Sequence, residues 1–385
     1  MKPFRKAVIH DIHLGHKRTL TSDIIARLDT HFSCDAFFST IDMVVFAGDV
    51  FDGPLIKGSE EAIEIDLWIA RVIRLAIKHN VLIRIVEGTP LHDRKQSKHF
   101  VATDEMYKKK AQNGLDLKYI DKLSIEYIER FDINVLYVPD ECNGGKTDKT
   151  LLQVYELLAA HHLQQVDFAY MHGCFGYQIE YLPENKVHSE KAYAEIVKHL
   201  VYIGHVHTRS TKGNIVAAGS FDRLKHNEEE MKGFVRSVFE ADGTHRTKFI
   251  DNPQAKIYKS IECKSADVSE CLNLIEKQTQ GLPMFSAVRV VAASGNPILS
   301  STSVLQKRWP LLQWSTKAKN PKDKKISDED MRETMSQISE ASTLSVTADT
   351  LAGLLMERIA FIAPGASIIE RCEKQIAHVK TALSA

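Results

Sequence analysis

Through residues 1–252 the apolar positions alternate between two periods. Continuous apolar runs at Lys6–Asp11, Asp42–Ala47, Val81–Val86, Ile133–Val138, Asp167–Met171 and His199–Ile203 read as buried strands. Between them, helical spacing appears at Ser59–His79, where Ile63, Leu67, Ile69, Val72, Ile73, Leu75 and Ile77 recur, and again at Asp148–Leu163 and Ser189–Val197. Three further strand-like runs, Asn214–Ala218, Gly233–Ala241 and Thr244–Ile250, are joined by short turns. Alternating elements followed by hairpins predict an α/β core built on a mixed sheet.

Asp251-Asn252-Pro253 marks a boundary. Residues 253–318 then read strand (Ala255–Cys263), helix (Ala266–Thr279), strand (Phe285–Ala293), helix (Leu299–Arg308), strand (Leu311–Thr316), a small α/β unit whose Trp309 and Trp314 suit either a core or stacking on bases. Residues 319–330 are polar and read as a linker. Residues 331–385 form a tail, helical from Thr343 and broken near Pro364-Gly365. Its apolar stripe of Leu351, Leu354, Leu355, Ile359 and Ile362 suits docking on this chain or on a partner.

Composition narrows the class. The chain has 385 residues, 44% hydrophobic and 26% charged, enough for more than one core. With 50 basic and 50 acidic residues, binding nucleic acid by bulk charge is disfavoured, while a local basic patch stays open. Cys34, Cys142, Cys174, Cys263, Cys271 and Cys372 form no C-x-x-C pair and read as reduced thiols. No apolar stretch approaches the roughly 20 residues of a membrane span, so a cytoplasmic protein is expected. No G-x-x-x-x-G-K-[ST] appears, so ATP hydrolysis by this chain is not expected.

The chemistry gathers at strand ends. Asp11 and His13 follow the first strand (IHDIHLGH), and Asp49 and Asp52 the second (VVFAGDVFDG). His92 and Asp93 follow the third (IRIVEGTPLHD), His172 follows DFAYM, and His205 and His207 follow HLVYI. Ligands of open α/β sheets bind beyond the carboxyl ends of strands, so residues remote in sequence meet there. Imidazole with carboxylate and no thiolate suits Mn, Fe or Zn. In D-x-H, side chains two apart on an extended segment reach the same ion, and a carboxylate such as Asp49 bridges two.

DIHLG, GDVFD, the HD of GTPLHD, MHG and GHVH together resemble the motifs of the calcineurin-like metallophosphoesterases, and within them most closely those of SbcD-type nucleases. HLGH after the first Asp, GDVFD, and AAGSFDR before a KGF segment support the likeness. The resemblance implies a metallophosphoesterase β-sandwich flanked by helices, with a small α/β capping domain that binds DNA (253–318) and a helical C-terminal tail. It places Asp11, His13 and His207 on a first metal, His172 and His205 on a second, and Asp49 between them. His92 would orient the phosphate and protonate the leaving oxygen, with Asp93 either tuning it or serving as a cap or turn carboxylate, and Asp52 either structural or holding a ligand from behind. The implied activity is Mn²⁺-dependent exo- and endonucleolytic cutting of DNA in end processing, repair or recombination. An SbcC-type ATPase would grip the tail, and a homodimer would form through helices near Ser59–His79 and Gln96–Gln112.

One departure stands out. The family's third motif, G-N-H-D, reads Gly88-Thr89-Pro90-Leu91-His92-Asp93 here, so the metal-binding Asn is absent. Either Thr89 or a backbone carbonyl substitutes, or His92 swings in, or the second site is weak. The weak site is favoured and predicts a steep dependence on Mn²⁺. Arg94, Lys95 and Lys98, and beyond GHVH Arg209, Arg223, Lys225 and His226, are candidates to neutralise DNA phosphates or to form a solvated face. A phosphatase or small-molecule phosphodiesterase on the same fold, and a scaffold with a decayed site, are the alternatives.

Overall fold

Strands apolar on both faces need cover on both sides, and the chain meets that demand with four layers. The computed structural model describes residues 3–111, 115–140, 146–179, 182–240 and 242–319, all in the unit running from Met1 to Pro321. In chain order the elements are β1 (Phe4–Ile9), α1 (Thr21–His31), α2 (Asp35–Phe38), β2 (Met43–Ala47), α3 (Glu60–His79), β3 (Leu82–Val86), α4 (Lys98–Ala111), β4 (Leu117–Ile120), β5 (Ser124–Ile128) and β6 (Ile133–Val138). They continue with α5 (Thr147–Ala160), β7 (Val166–Gly173), α6 (Glu190–Ile196), β8 (Val197–His205), β9 (Ser210–Lys212), β10 (Ile215–Ala217), β11 (Gly233–Phe239) and β12 (His245–Asp251). Last come β13 (Tyr258–Cys263), α7 (Val268–Thr279), β14 (Ala287–Ala293), α8 (Thr302–Arg308) and β15 (Gln313–Lys319).

Two six-stranded mixed sheets result, ordered β12-β11-β1-β2-β3-β4 and β5-β6-β7-β8-β10-β9. β1 to β4 run parallel, as do β6, β7, β8 and β10, with antiparallel strands at the edges. Strand alternation divides the apolar residues between layers. On β2, Val44 and Phe46 face α1 to α4, while Met43, Val45 and Ala47 face the second sheet. Leu136, Ala169, Met171 and Ile203 on the far face of the second sheet pack under α5 and α6. The third sheet, β13-β14-β15, is wholly parallel and has its own core with α7 and α8, against which Trp309 and Trp314 pack.

Local chemistry explains the helix limits. The Ser59 hydroxyl accepts from Ala62 N at 3.2 Å to start α3, Glu60 and Glu61 sit in its first turn, Lys78 and His79 in its last, and left-handed Asn80 ends it. The helix expected at Leu299–Arg308 is shorter: Pro297–Ser300 forms a 3-10 turn and α8 begins at Thr302. The periodicity had not marked α1, α2, α4, β4, β5 or β9. β4 and β9 are edge strands, and polar β5 (SIEYI) is half exposed. The linker and tail expected over 319–385, with the partner-binding stripe, lie outside the described residues except for Lys319 at the end of β15, as do Cys142 and Cys372. Among the described residues, no helix is long and apolar enough to cross a membrane.

Two cations lie between the main sheets. Arg84 is fully buried but paired, donating to Glu126 at 2.7 and 2.8 Å. Lys6 is also fully buried, and its Nζ has no hydrogen-bond partner among the described residues and lies over the Phe168 ring. Burial pushes Lys6 well below the usual ammonium range, against the pull of Asp167. The unfolded chain therefore binds a proton that the folded chain releases, and stability rises with pH from the depressed folded value up to about 10.4. Lys6→Met is expected to raise stability by about 2 kcal/mol at pH 7. In urea titrations across pH, that advantage should shrink as the solution becomes alkaline.

Candidate metal centre

The carboxyl ends of β1, β2, β3, β7 and β8 converge. Parallel pairing sets β1 beside β2 and β2 beside β3, and places His172 opposite Gly204 and Gly173 opposite His205. Past the strand ends the backbone turns sharply. Asp11, His13, Asp49 and His205 all adopt positive φ, of 51°, 55°, 50° and 97°. Non-glycine residues are strained there, and such strain gathers where side-chain aim matters more than backbone comfort. Glycine makes the close approach possible: a Cβ on Gly48 would lie 2.1 Å from His172 Nδ1, and one on Gly88 would lie 2.2 Å from Asp49 N.

Two donor sets meet in this pocket. Asp11, His13 and His207 form one, with His13 Nε2 3.2 Å from His207 Nε2, and 4.0 and 3.9 Å from those rings to Asp11 Oδ1. Asp49, His172 and His205 form the other. Asp49 lies between them: its Oδ1 is 3.3 Å from His172 Nε2 and its Oδ2 is 3.9 Å from His13 Nε2. Each set has the donor chemistry of a divalent-cation site.

Thr89 enters the second set. Its hydroxyl lies 3.2 Å from Asp49 Oδ2, 3.3 Å from His172 Nε2 and 3.3 Å from His205 Nδ1. Four donors arranged tetrahedrally at about 2.0 Å from one ion are about 3.3 Å apart. The hydroxyl has that spacing to both histidine nitrogens and to the Asp49 oxygen that faces His13, which gives the Thr89 alternative a geometric basis.

Supporting groups hold the rings. His13 Nδ1 meets Asp52 Oδ1 at 3.2 Å, His207 Nδ1 meets Glu228 Oε1 at 2.9 Å, and His172 Nδ1 donates to Ala47 O at 3.0 Å. Each contact turns the opposite nitrogen into the pocket. His10 Nε2 accepts from Ala218 N at 3.1 Å, so its Nδ1 proton faces Asp11 Oδ2 at 2.5 Å. Burial works against the Asp11 charge, yet His10, His172 and His207 hold its carboxyl well below the usual range. Burial likewise opposes Asp49, and His172 beside it draws its carboxyl down.

The third-motif pair divides, with Asp93 in the turn-carboxylate role that was one of its two expected readings. Asp93 does not serve the His92 ring. It is fully buried and accepts from Asp49 N at 3.0 Å, Phe51 N at 3.0 Å and Gly88 N at 2.8 Å, tying the loops after β2 and β3 together. Burial and the Asp49 charge push it up to about 7 against those amides. The partner of His92 is Asp52, whose Oδ1 lies 2.7 Å from His92 Nδ1. Asp52 therefore joins His92 to His13.

The basic candidates divide. Arg94 and Lys95 are exposed in left-handed turns beside His92, and Lys98 opens α4. The Arg209 guanidinium lies 3.9 Å over the Phe249 ring, and Arg223 donates to Ala255 O and Glu229 O, which commits it to the turn before β13. Sequence reasoning missed His10 and Glu228. His10 adjoins a ligand in IHDIH, but Glu228 sits in an acidic run whose contact with His207 exists only in the fold.

No family model matches this chain, and no curated protein does. Forty-six chains of known structure match. One, a crystal structure, covers 64% of this chain and 99% of its own length at 13% identity with a TM-score of 0.30, a likeness that carries no argument.

Two outcomes are expected. Thr89→Ala should lose one equivalent of Mn²⁺ in calorimetric titration while Thr89→Asn keeps it; equal stoichiometry in Thr89→Ala and the parent would remove the hydroxyl from the ligand set. Asp93→Asn sets an amide N–H against backbone donors and is expected to cost about 2 kcal/mol in chemical denaturation.

Proposed function

We propose that the chain is a metal-dependent phosphodiesterase that cuts nucleic acid, on a calcineurin-like metallophosphoesterase scaffold of the SbcD type. The observation that carries this reading is the Asp49 carboxylate lying between two His/Asp donor sets, with His92 beside them. Asp11, His13, His207 and Asp49 would hold one divalent ion, and Asp49, His172, His205 and Thr89 the other; the donors suit Mn, Fe or Zn, and the family resemblance selects Mn²⁺. Such a pair, when bound, supplies Lewis acidity at the phosphoryl oxygens and activates water.

The chain's own residues do the rest. The His92 ring is half-exposed and packs edge-on to His13 with centroids 4.8 Å apart, so one face of it meets incoming substrate. The bond to Asp52 fixes the ring through Nδ1 and leaves Nε2 as the outward nitrogen. The Asp52 bond raises the His92 pKa against burial, and the outward Nε2 is placed to give a proton to the leaving oxygen. Arg94 and Lys95, exposed in the same loop, supply positive charge for a polyanionic substrate.

DNA end processing with a separate SbcC-type ATPase belongs to the same reading. So does a homodimer, supported by apolar residues exposed on α3 (Ile63, Leu67) and α4 (Met106).

The test is Mn²⁺-dependent cleavage of linear duplex DNA compared with hydrolysis of a phosphomonoester. DNA should be the better substrate. His92→Gln should slow cleavage by about 10²–10⁴-fold while retaining bound Mn²⁺. Asp49→Ala should abolish cleavage. A phosphomonoester preference would make the chain a phosphatase, and Asp49→Ala matching the parent on every nucleic acid would leave only a scaffold.

A further inference from the structure

β12 ends one main sheet and β9 the other. Along these edges a cavity of about 300 Å³ opens between the sheets. Its floor is apolar: Leu200 on β8, Val216 on β10 and Val235 on β11 belong to the core between the sheets. Its walls are not. Alternation along β12 sets His245, Thr247 and Phe249 toward the cavity and Ile250 against the helix-side core. A strand that sealed the core would carry apolar residues at 245 and 247, and here an imidazole and a hydroxyl stand there. Thr211 of β9 adds a second hydroxyl, and Arg209 a guanidinium.

The cation is positioned and unspent. Arg209 Cζ lies 3.9 Å from the centroid of the Phe249 ring. Stacking engages the face of a guanidinium and leaves the N–H groups in its plane open to an acceptor. Among the described residues Arg209 has no carboxylate and no hydrogen-bond acceptor, and no residue lining the cavity is acidic. The His245 ring likewise has no hydrogen-bond partner among the described residues. The wall between them is held from within: Thr247 Oγ1 meets Ser237 Oγ at 2.9 Å, and the Tyr202 hydroxyl donates to that Ser237 oxygen at 2.7 Å. Phe249 pairs with Val235 and His245 with Phe239. Four strand residues separate the two, about 13 Å, so guanidinium and imidazole stand toward opposite ends.

These features select a ligand. A guanidinium without a counter-charge, in a cavity without acids, takes an anion, and its planar fork suits phosphate. The apolar floor accepts the flat body of a ring, and the hydroxyls and imidazole offer donors and acceptors for its edge. Small-molecule sites enclose roughly 300–1,000 Å³, so this one has room for a single nucleotide.

We propose that the cavity binds a nucleoside monophosphate, with the phosphate on Arg209 and the base on the apolar floor toward Thr247 and His245. Such a molecule is what phosphodiester hydrolysis releases from a chain end, so the choice of ligand rests on the nucleic-acid reading above. None of the metal-centre donors lines the cavity, yet Arg209 follows His207 by two residues. The product site is therefore separate from the place where product is made, and hangs on the loop that carries one of its ligands.

The test is calorimetric titration of the full chain with dAMP in EDTA, which keeps divalent ions out of the metal centre. One equivalent should bind, with deoxyadenosine and inorganic phosphate each weaker by about tenfold or more. Arg209→Gln should weaken dAMP binding by about tenfold, Arg209→Lys by less, and His245→Ala by a few-fold. Asp49→Asn should bind dAMP as the parent does. No dAMP binding by the parent would overturn the site, as would full affinity in the Arg209→Gln/His245→Ala double variant. Loss of binding in Asp49→Asn with an unchanged melting temperature would also overturn it, by moving the nucleotide to the metal centre. Inorganic phosphate binding as tightly as dAMP would remove the base from the site and overturn the nucleotide. Arg209 and His245 are exposed, and circular dichroism of both variants checks that any loss is local. A parent that binds dAMP yet fails to cut DNA with Mn²⁺ would sink the nuclease reading and keep the site. One that cuts DNA and ignores dAMP would keep the nuclease and sink the site.

Discussion

Two carboxylates and four imidazoles share one largely buried pocket, and that crowding governs the rest of the structure. Buried charges are tolerable only when paired or coordinated. Asp11 and Asp49 meet the demand with each other's histidines, and every other feature of the site keeps those pairings aimed. The left-handed turns at Asp11, His13, Asp49 and His205 swing side chains off strand ends that would otherwise send them along the sheet. Gly48 leaves room for His172 against the β2 end. Asp52, Glu228 and Ala47 O each hold the back of a ring, so the orientation of the ligands is built into the protein.

The loops depend on the same economy of hydrogen bonds. Residues 48–53 and 87–93 leave the sheet together, so their amides lose ladder partners. Asp93 collects three of those amides and Thr89 N takes Asp49 Oδ1 at 2.6 Å. The strand ends are thereby tied to one another beyond the last ladder bond. A rigid rim of this kind suits chemistry that demands sub-ångström placement.

Much of the α/β character was legible because β1, β2, β3, β6, β7 and β8 are short apolar runs stopped by polar residues, a pattern few other arrangements produce. The same stops marked Asp11, His13, Asp49, His172, His205 and His207, and the structure draws all six together. What stayed hidden depends on contacts remote in sequence. β4 and β5 are too polar to stand out, and α4 buries little beyond Phe100 and Asp104. The pairing of His92 with Asp52 instead of neighbouring Asp93 follows from burial: Asp93 is engaged by three loop amides in the interior, and Asp52 reaches the half-exposed ring. Thr89 was visible as a departure, but only the fold shows that its hydroxyl reaches the same three donors at once. Glu228 had no sequence signal, because nothing in NEEE distinguishes the carboxylate that finds His207.

The position of β1 inside its sheet has a further consequence. It is flanked by β2, which follows closely in the chain, and by β11, which comes only after every strand of the second sheet and most helices. Asp11 and His13 emerge first from the ribosome, whereas His205 and His207 come late. A nascent chain therefore carries an open edge on β1 and half a ligand set through most of its synthesis. Contacts of such long range make for slow folding and favour early capture by chaperones. The same order keeps the growing polypeptide from gathering the whole constellation before its last wall is in place.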